Sequence, residues 1–383
     1  MVNRHVTSGL ERIDTKASLL AGRRIGLMTN PTGIDHQFNS AIALIHARYR
    51  LSALFACEHG IRGDIQAGED VAAHRDPETG IMVYSTYSSE GRTLTEEMLD
   101  SFDVFVYDIQ DVGARFYTYL YSLANAMIAC ARAGKPVLVL DRVNPLGGAK
   151  VSGTILQQGF ESFVGSYALP SRYGLTVAEY ARHVKEFLNL DLELHWVELQ
   201  GWQRGMLLDD TDLPWIPPSP NLPHFSSAMC FIGTCIFEGT NLSEGRGTPL
   251  PFEQIGAPWV DAGRLEKEMN SLALPGVHFR RNCFVPNFSK YQGEQCFGVQ
   301  LHITDKALFD AFEAGLLLIE TIRNMHEDRF AFISWTPGAM PAIDRLLGTD
   351  SFRTGMMTAR ELIKVHAPHV KEFQEASGSH YLY

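Results

Sequence analysis

Short apolar runs alternate with amphipathic segments along the first half of the chain. The runs lie at residues 24–29, 51–56, 104–107, 137–140 and 192–199. Apolar character at successive positions over so few residues is typical of strands buried on both faces, as in a parallel sheet. The pattern therefore predicts five central strands.

The segments between these runs carry helix signals. Residues 116–132 place Leu120, Leu123 and Met127 on one face and are followed by Gly134, a residue type that often ends helices. Thr176 and Glu179 have the spacing of a capping box at the start of a second helix. Alternating strands and helices predict an α/β fold with a Rossmann-like, mostly parallel sheet.

This regular pattern stops at a cluster of prolines in residues 215–223, which fit neither a helix interior nor a central strand. We therefore predict a Rossmann-like catalytic domain over residues 1–225. The remainder contains apolar runs at 231–237 and 300–303 and a helix at 307–323. It is predicted to be a smaller α+β domain, residues 226–383, that completes the cleft.

Four of the predicted strands run into polar loops that contain glycine. In a parallel sheet these loops emerge along one edge, where ligands of α/β proteins bind, so we expect them to line one cleft. The candidate site residues in these loops are Asn30, Glu58, His59, Arg62, Asp108, Asp111, Arg115, Tyr117 and Asn144.

The second half has a polar segment of its own at residues 237–248. It holds Glu238, Asn241, Glu244 and Arg246 among three glycines. Such a loop suits a close approach to a polar ligand, so we expect it to form the other side of the cleft.

Composition and charge indicate which kinds of binding partner to expect. The chain has 383 residues, 45% of them hydrophobic, and a formal net charge of −11. Without a lysine- or arginine-rich block, we expect neither nucleic acid nor a membrane as partner. With no signal segment and no apolar run near 18 residues, we expect a cytoplasmic location, or export if a signal was removed. The sequence does not indicate an oligomeric state.

The sequence lacks the motifs that mark several kinds of cofactor and catalytic site. The first strand is not followed by Gly-x-Gly-x-x-Gly, and there is no Walker loop, Gly-x-Ser-x-Gly or His-Glu-x-x-His. The six cysteines are scattered rather than paired. We expect no cofactor and no metal. Carboxylates with arginines and aromatic rings are instead typical of glycoside hydrolysis on an acidic sugar.

Six segments resemble the NamZ-type exo-β-N-acetylmuramidases, in order along nearly the whole chain. They are residues 30–33, 58–63, 108–119, 140–148, 217–223 and 237–248. The resemblance implies removal of N-acetylmuramic acid (MurNAc) from the non-reducing end of peptidoglycan fragments, in a cleft between two domains. Glu58 matches the proposed catalytic residue of that family. Cys57 stands where the family usually has proline, which argues against a thiol mechanism.

Several alternatives stay open at this point. The second catalytic group is Asp108, Asp111, Glu238, Glu244 or the substrate's own 2-acetamido group. One of Arg62, Arg115 and Arg246 is expected to bind the lactyl carboxylate of MurNAc. The rival functions are hydrolysis of another amino sugar, such as N-acetylglucosamine (GlcNAc), and muropeptide binding without catalysis.

Overall fold

In the computed structural model, residues 4–63, 72–87 and 92–383 are described. The strands in these residues are β1 (Ile25–Thr29), β2 (Leu51–Ala56), β3 (His74–Arg75), β4 (Met82–Ser85), β5 (Val104–Asp108), β6 (Val137–Leu140), β7 (Ser152–Ile155), β8 (Pro170–Arg172), β9 (Leu194–Val197), β10 (Gln254–Ala257), β11 (Val277–Phe284) and β12 (Cys296–Ile303). The α-helices are α1 (Ala17–Leu20), α2 (Ala41–Arg48), α3 (Glu96–Asp100), α4 (Tyr119–Arg132), α5 (Val177–Phe187), α6 (Phe225–Thr234), α7 (Ala262–Ser271), α8 (Ala311–Met325), α9 (Ala342–Leu347) and α10 (Ala359–Ser377).

A seven-stranded sheet in the order β3-β4-β2-β1-β5-β6-β9 dominates the first half. Every neighbouring pair is parallel except β3 and β4. The chain leaves β1 toward β2 on one side and leaves β5 toward β6 on the other, so the strand order reverses between β1 and β5. Thr29 and Asp108 pair in register there. The predicted α/β fold with a mostly parallel sheet is confirmed.

The sequence located the buried strands well and the helix starts less well. The predicted strands at 51–56 and 137–140 have the observed bounds, and the others differ by one or two residues at their ends. The capping box of Thr176 and Glu179 is confirmed at the start of α5. The helix predicted from residue 116 begins at Tyr119, because Phe116 and Tyr117 belong to a turn that follows β5.

The second half contains a three-stranded antiparallel sheet, in the order β10-β12-β11, with helices packed beside it. The apolar run at 231–237 is the end of α6 and a 3-10 turn, Cys235–Gly239. It is apolar on all sides because α6 is buried against α8. The two helices cross closely: a Cβ on Gly233 would lie 1.6 Å from the Ala311 carbonyl oxygen.

The two halves share one hydrophobic core. The same buried cluster contains Tyr107 and Phe116 from the first half and Phe231 and Phe252 from the second. Helix α10 also packs on β7. A domain boundary at residues 225 and 226 stays a prediction. None of the helices in the described residues is long and apolar enough to cross a bilayer.

Candidate active site

Glu58 lies two residues beyond the end of β2 and is 8% exposed. The chain turns sharply after it, because His59 and Gly60 both take left-handed backbone conformations with φ of 72° and 76°. The side chain of Glu58 is held in place by Thr118, whose hydroxyl donates a hydrogen bond of 2.6 Å to Oε2. The structure therefore brings the end of β2 and the start of α4 together at one carboxyl group.

Cys57, the residue before this acid, is fully buried. Desolvation raises the pKa of its thiol far above the usual range. A thiol in that environment stays protonated and is a poor nucleophile. This agrees with the prediction that the chemistry does not use a cysteine.

A pocket of about 500 Å³ opens in front of Glu58. That volume suits a small ligand such as one or two sugar rings. Both halves of the chain contribute to its wall. The residues that matter for the argument are Glu58, His59, Tyr117 and Thr118 from the first half and Phe231, Glu238, Arg246 and Phe252 from the second.

Aromatic rings form one apolar surface of this pocket. Phe231 is the central ring, with its centroid 4.8 Å from Phe252, 5.9 Å from Tyr117 and 6.3 Å from Phe116, all in edge-to-face contacts. Rings packed edge to face have restricted rotamers and present a fixed apolar surface. Such a surface suits the C–H face of a sugar ring, while the carboxyl group of Glu58 lies at the same pocket.

The polar side of the pocket is an ion-pair network in residues 238–246. Arg246 donates from Nη2 to Glu238 Oε1 at 2.6 Å, and its Nε lies 3.4 Å from Glu244 Oε1. Lys290 Nζ lies 3.0 Å from the other oxygen of Glu244. Burial alone would lower the pKa of Arg246, but the two carboxylates outweigh it and raise that pKa. Glu244, 2% exposed, is thus held between two cations, whereas the side chain of Glu238 is 22% exposed.

Asp111 is buried away from the pocket wall. Its Oδ1 accepts hydrogen bonds from the Gly113 amide, at 2.8 Å, and from the Tyr173 hydroxyl. Desolvation raises the pKa of Asp111 to about 7, and the Tyr173 hydrogen bond opposes this only in part. The carboxyl group therefore stabilises the loop after β5 from inside the protein.

The raised pKa of Asp111 predicts a measurable pH dependence of stability. In the unfolded chain an aspartate has a pKa of about 3.9, so the folded state holds the proton more tightly. The stability that this proton contributes is complete below about pH 4 and is lost as the pH rises through about 7. Between pH 5 and pH 7 the unfolding free energy should therefore fall relative to that of Asp111→Asn, by up to about 1.4 kcal/mol per pH unit. Urea titrations of both proteins check this, and equal slopes would contradict it.

Two of the predicted arginines lie outside the pocket wall. Arg62 pairs with Asp76 at 2.7 Å and with Glu78 at 3.2 Å. Arg115 is fully buried and donates to the backbone carbonyls of Thr154, Leu169 and Leu346 at 2.7 to 2.8 Å. Burial lowers the pKa of Arg115 to about 10. Of the three arginines that the sequence offered for the lactyl carboxylate, the structure brings only Arg246 to the pocket.

Other predicted site residues make hydrogen bonds within the protein and do not line the pocket of Glu58. Asp108 makes two hydrogen bonds with Arg142, at 2.6 and 2.9 Å. Asn30 accepts from Thr32, and Asn144 bridges Leu175 and Leu146. Asn241 is bonded to the backbone of Arg329 and Ala331. The four predicted loops therefore do not line one pocket together. Those after β2 and β5 line the pocket of Glu58, while polar side chains of those after β1 and β6 bond within these loops and to neighbouring segments.

The pocket wall also contains residues that the sequence analysis did not name as site residues, among them Thr118, Phe163, Trp335 and Arg345. The Arg345 guanidinium lies 6.0 Å from the ring centroid of Trp335, and the tilted ring of Phe163 lies 5.4 Å from Trp335, centroid to centroid. Arg345 has no carboxylate within 4 Å in the described part of the chain. No motif marks the segment that carries Trp335 and Arg345, so nothing in the sequence pointed to it.

The pocket combines a carboxylic acid at a strand end of a Rossmann-like sheet with aromatic rings and a charged loop, which is the equipment of a sugar-cleaving hydrolase. The family model described as "Exo-beta-N-acetylmuramidase NamZ, N-terminal" matches residues 25–226. The model of the C-terminal part matches residues 229–383. The chain belongs to the NamZ exo-β-N-acetylmuramidase family.

Individual relatives agree with this assignment. The chain is 43% identical over 360 residues to the peptidoglycan beta-N-acetylmuramidase NamZ of Bacillus subtilis (strain 168), covering 94% of this chain and 86% of that protein. Two crystal structures of DUF1343 family proteins from Bacteroides fragilis are similar, each over 99% of both chains. One has a TM-score of 0.91 at 35% identity, the other a TM-score of 0.79 at 28% identity.

Proposed function

We propose that this protein hydrolyses the terminal β-N-acetylmuramyl linkage of peptidoglycan fragments and releases MurNAc from the non-reducing end. The observation that carries the proposal is the position of Glu58, a carboxyl group at the pocket between the two halves, in a chain 43% identical to a peptidoglycan beta-N-acetylmuramidase. A pocket with walls from both halves of the chain suits an enzyme that takes one end of a glycan.

Glu58 is the proposed general acid. Thr118 donates a hydrogen bond to Oε2, which holds the carboxyl group in one orientation. In the acid form, the proton of this carboxyl group passes to the glycosidic oxygen as the bond to the anomeric carbon breaks. Thr118 is a positioning residue in this scheme, because its hydrogen bond orients the acid.

Burial supports a narrower choice for the second catalytic group. Of the other predicted carboxylates, Asp108, Asp111 and Glu244 are each no more than 2% exposed, and Glu238 remains at the pocket. Glu238 accepts a hydrogen bond from Arg246, which holds its carboxylate in one orientation. The two remaining candidates are Glu238, acting on water, and the 2-acetamido group of the substrate, acting on the anomeric carbon.

A time course on a defined disaccharide tests the activity itself. The protein is incubated with MurNAc-β-1,4-GlcNAc, and the products are followed by mass spectrometry. We expect free MurNAc and GlcNAc in equal amounts. Saturable binding without products would instead establish the muropeptide-binding function, and faster cleavage of a GlcNAc-terminated disaccharide would establish the other amino-sugar hydrolase.

We further propose that Arg345 binds the lactyl carboxylate of MurNAc. Arg246 is already bonded to two glutamates, whereas Arg345 has no acidic partner among the described residues. An arginine fork without a partner is suited to bind both oxygens of a substrate carboxylate. Arg345 was not among the arginines expected from the sequence.

Arg345→Ala should therefore reduce activity selectively. Loss of a charge-assisted hydrogen bond of about 1.5 to 3 kcal/mol corresponds to about a 10- to 150-fold lower kcat/KM on a MurNAc glycoside. Activity on the matching GlcNAc glycoside should change little. Assays on chromogenic glycosides of both sugars give the ratio of activity on MurNAc to activity on GlcNAc. The exposed Arg360→Ala is the matched control. A ratio that changes in Arg246→Ala but not in Arg345→Ala would assign the carboxylate to Arg246.

A further inference from the structure

A second cluster of polar side chains lies outside the pocket of Glu58. It consists of His5, His36 and Asp212. Asp212 Oδ2 lies 2.6 Å from His5 Nδ1, and Asp212 Oδ1 lies 3.2 Å from His36 Nε2. The three residues come from three separate segments: the first described residues, the loop after β1 and the segment that follows a 3-10 turn at Leu208–Asp210.

His36 is held in this cluster by a fourth side chain. Its Nδ1 lies 2.6 Å from Glu11 Oε1, so the ring is hydrogen-bonded on the side away from Asp212. Glu11 is fixed in turn by the amide and the hydroxyl of Ser8, at 2.8 and 2.9 Å. With Nδ1 bonded to Glu11, Nε2 is the ring nitrogen that faces Asp212. A metal ion bound there would take the place of the Nε2–Asp212 hydrogen bond and would need the neutral imidazole. Metal-binding histidines in proteins are commonly oriented by such a carboxylate.

The donor set has a chemical preference. Two imidazole nitrogens and one carboxylate oxygen, all within 4.8 Å of one another, match the set that binds zinc and similar ions at sites with one open position. We propose that His5, His36 and Asp212 form a site for a divalent transition-metal ion of the zinc type. This departs from the expectation, drawn from sequence motifs, that the chain holds no metal.

The exposure of the three residues fits such a site. The side chain of His36 is 18% exposed, that of Asp212 33% and that of His5 70%. The inner two ligands are thus held by the fold, and the outer one can adjust to metal–ligand distances of about 2.0 to 2.2 Å. Solvent at His5 supplies the fourth ligand as water. A bound ion would tie the N-terminal segment to the sheet.

The site is predicted to act on stability rather than on catalysis. None of its three ligands lines the pocket of Glu58. A ligand that binds the folded state alone raises its stability in proportion to the logarithm of its concentration over Kd. Zinc should therefore raise the Tm of the protein and leave kcat unchanged.

The test uses the full chain without an affinity tag, stripped of metal by a chelator that is then removed. Titration with Zn²⁺ in a calorimeter should give one saturable site per chain with a Kd below about 100 µM. Co²⁺ at the same site should give visible absorption bands of four- or five-coordinate geometry. Zn²⁺ should also raise the Tm.

Three variants and one control decide the assignment. His36→Ala and Asp212→Asn should abolish the site, and Glu11→Gln should weaken it about 10-fold or more while keeping the ligands. His46→Ala, which removes an exposed histidine from α2, should bind as the wild type does. The proposal is overturned if the wild type shows no saturable site, or if His36→Ala and Asp212→Asn, folded by circular dichroism, bind Zn²⁺ unchanged.

Discussion

Glu58→Gln is expected to lower the turnover of a MurNAc-terminated disaccharide by about two to four orders of magnitude, the usual contribution of a positioned acid. Glutamine has nearly the same shape and still accepts the Thr118 hydrogen bond, but it cannot donate a proton to the leaving oxygen. The effect should appear in kcat, with substrate affinity close to that of the wild type, because the ring contacts of the pocket are unchanged.

Two companion variants make this result specific. Glu78→Gln removes an exposed glutamate that lies outside the pocket, so it should retain activity. Thr118→Val removes the hydroxyl that holds Glu58. It should both change the value of kcat and shift the pH profile of kcat. A folded Glu58→Gln with near-normal turnover would exclude Glu58 as the acid and leave Glu238 as the pocket carboxylate to examine.

Gly233→Ala is expected to lower the unfolding free energy more than the addition of one methyl group anywhere else in the second half. The added Cβ would lie 1.6 Å from the Ala311 carbonyl oxygen and 2.4 Å from its carbon, both backbone atoms that no rotamer change can move. Helices α6 and α8 would have to separate. Because α6 carries Phe231, the separation also displaces a ring of the pocket. We expect a loss of about 3 kcal/mol or more in the unfolding free energy.

Gly263→Ala is the matched control, since it makes the same chemical change within helix α7. The nearest atom to its added Cβ is Asp261 Oδ1 at 3.6 Å, an ordinary contact. This variant should be neutral or more stable by up to about 1 kcal/mol, because alanine favours helix over glycine. Chemical denaturation of both variants gives the comparison. Equal stability of the two would show that α6 and α8 do not meet as closely as described.

The parallel sheet could be predicted because its strands are buried on both faces. Such strands are apolar at successive positions, as at residues 51–56, so their sequence shows where they begin and end. The same uniformity hides the difference between strand and helix at 231–237, because α6 is also apolar on all sides. The start of α4 was placed too early for a related reason: Phe116 and Tyr117 are apolar, but their rings line the pocket instead of a helix face.

Part of the site could also be predicted. The strand-end rule placed Glu58 at the edge of the sheet, and the structure has it at the pocket. The rule could not separate Glu58 from Asn144 or Arg115, because side chains that hold a loop and side chains that face a ligand are the same polar types. Arg345 could not be found at all, since its place beside the pocket depends on how the second half folds onto the first.

The proposed proton donor and part of the pocket wall come from distant parts of the chain. Glu58 follows a central strand and depends on α4 through Thr118, whereas Trp335 and Arg345 lie in a late segment that has no role in the sheet. If Arg345 binds the substrate as proposed, changes in the late segment alone would alter which glycan binds while the reaction stays the same. Homologous enzymes could in this way diverge toward different wall fragments by exchanging residues 335–345. A chimera that receives this segment from a relative should inherit the relative's substrate preference and keep its own chemistry.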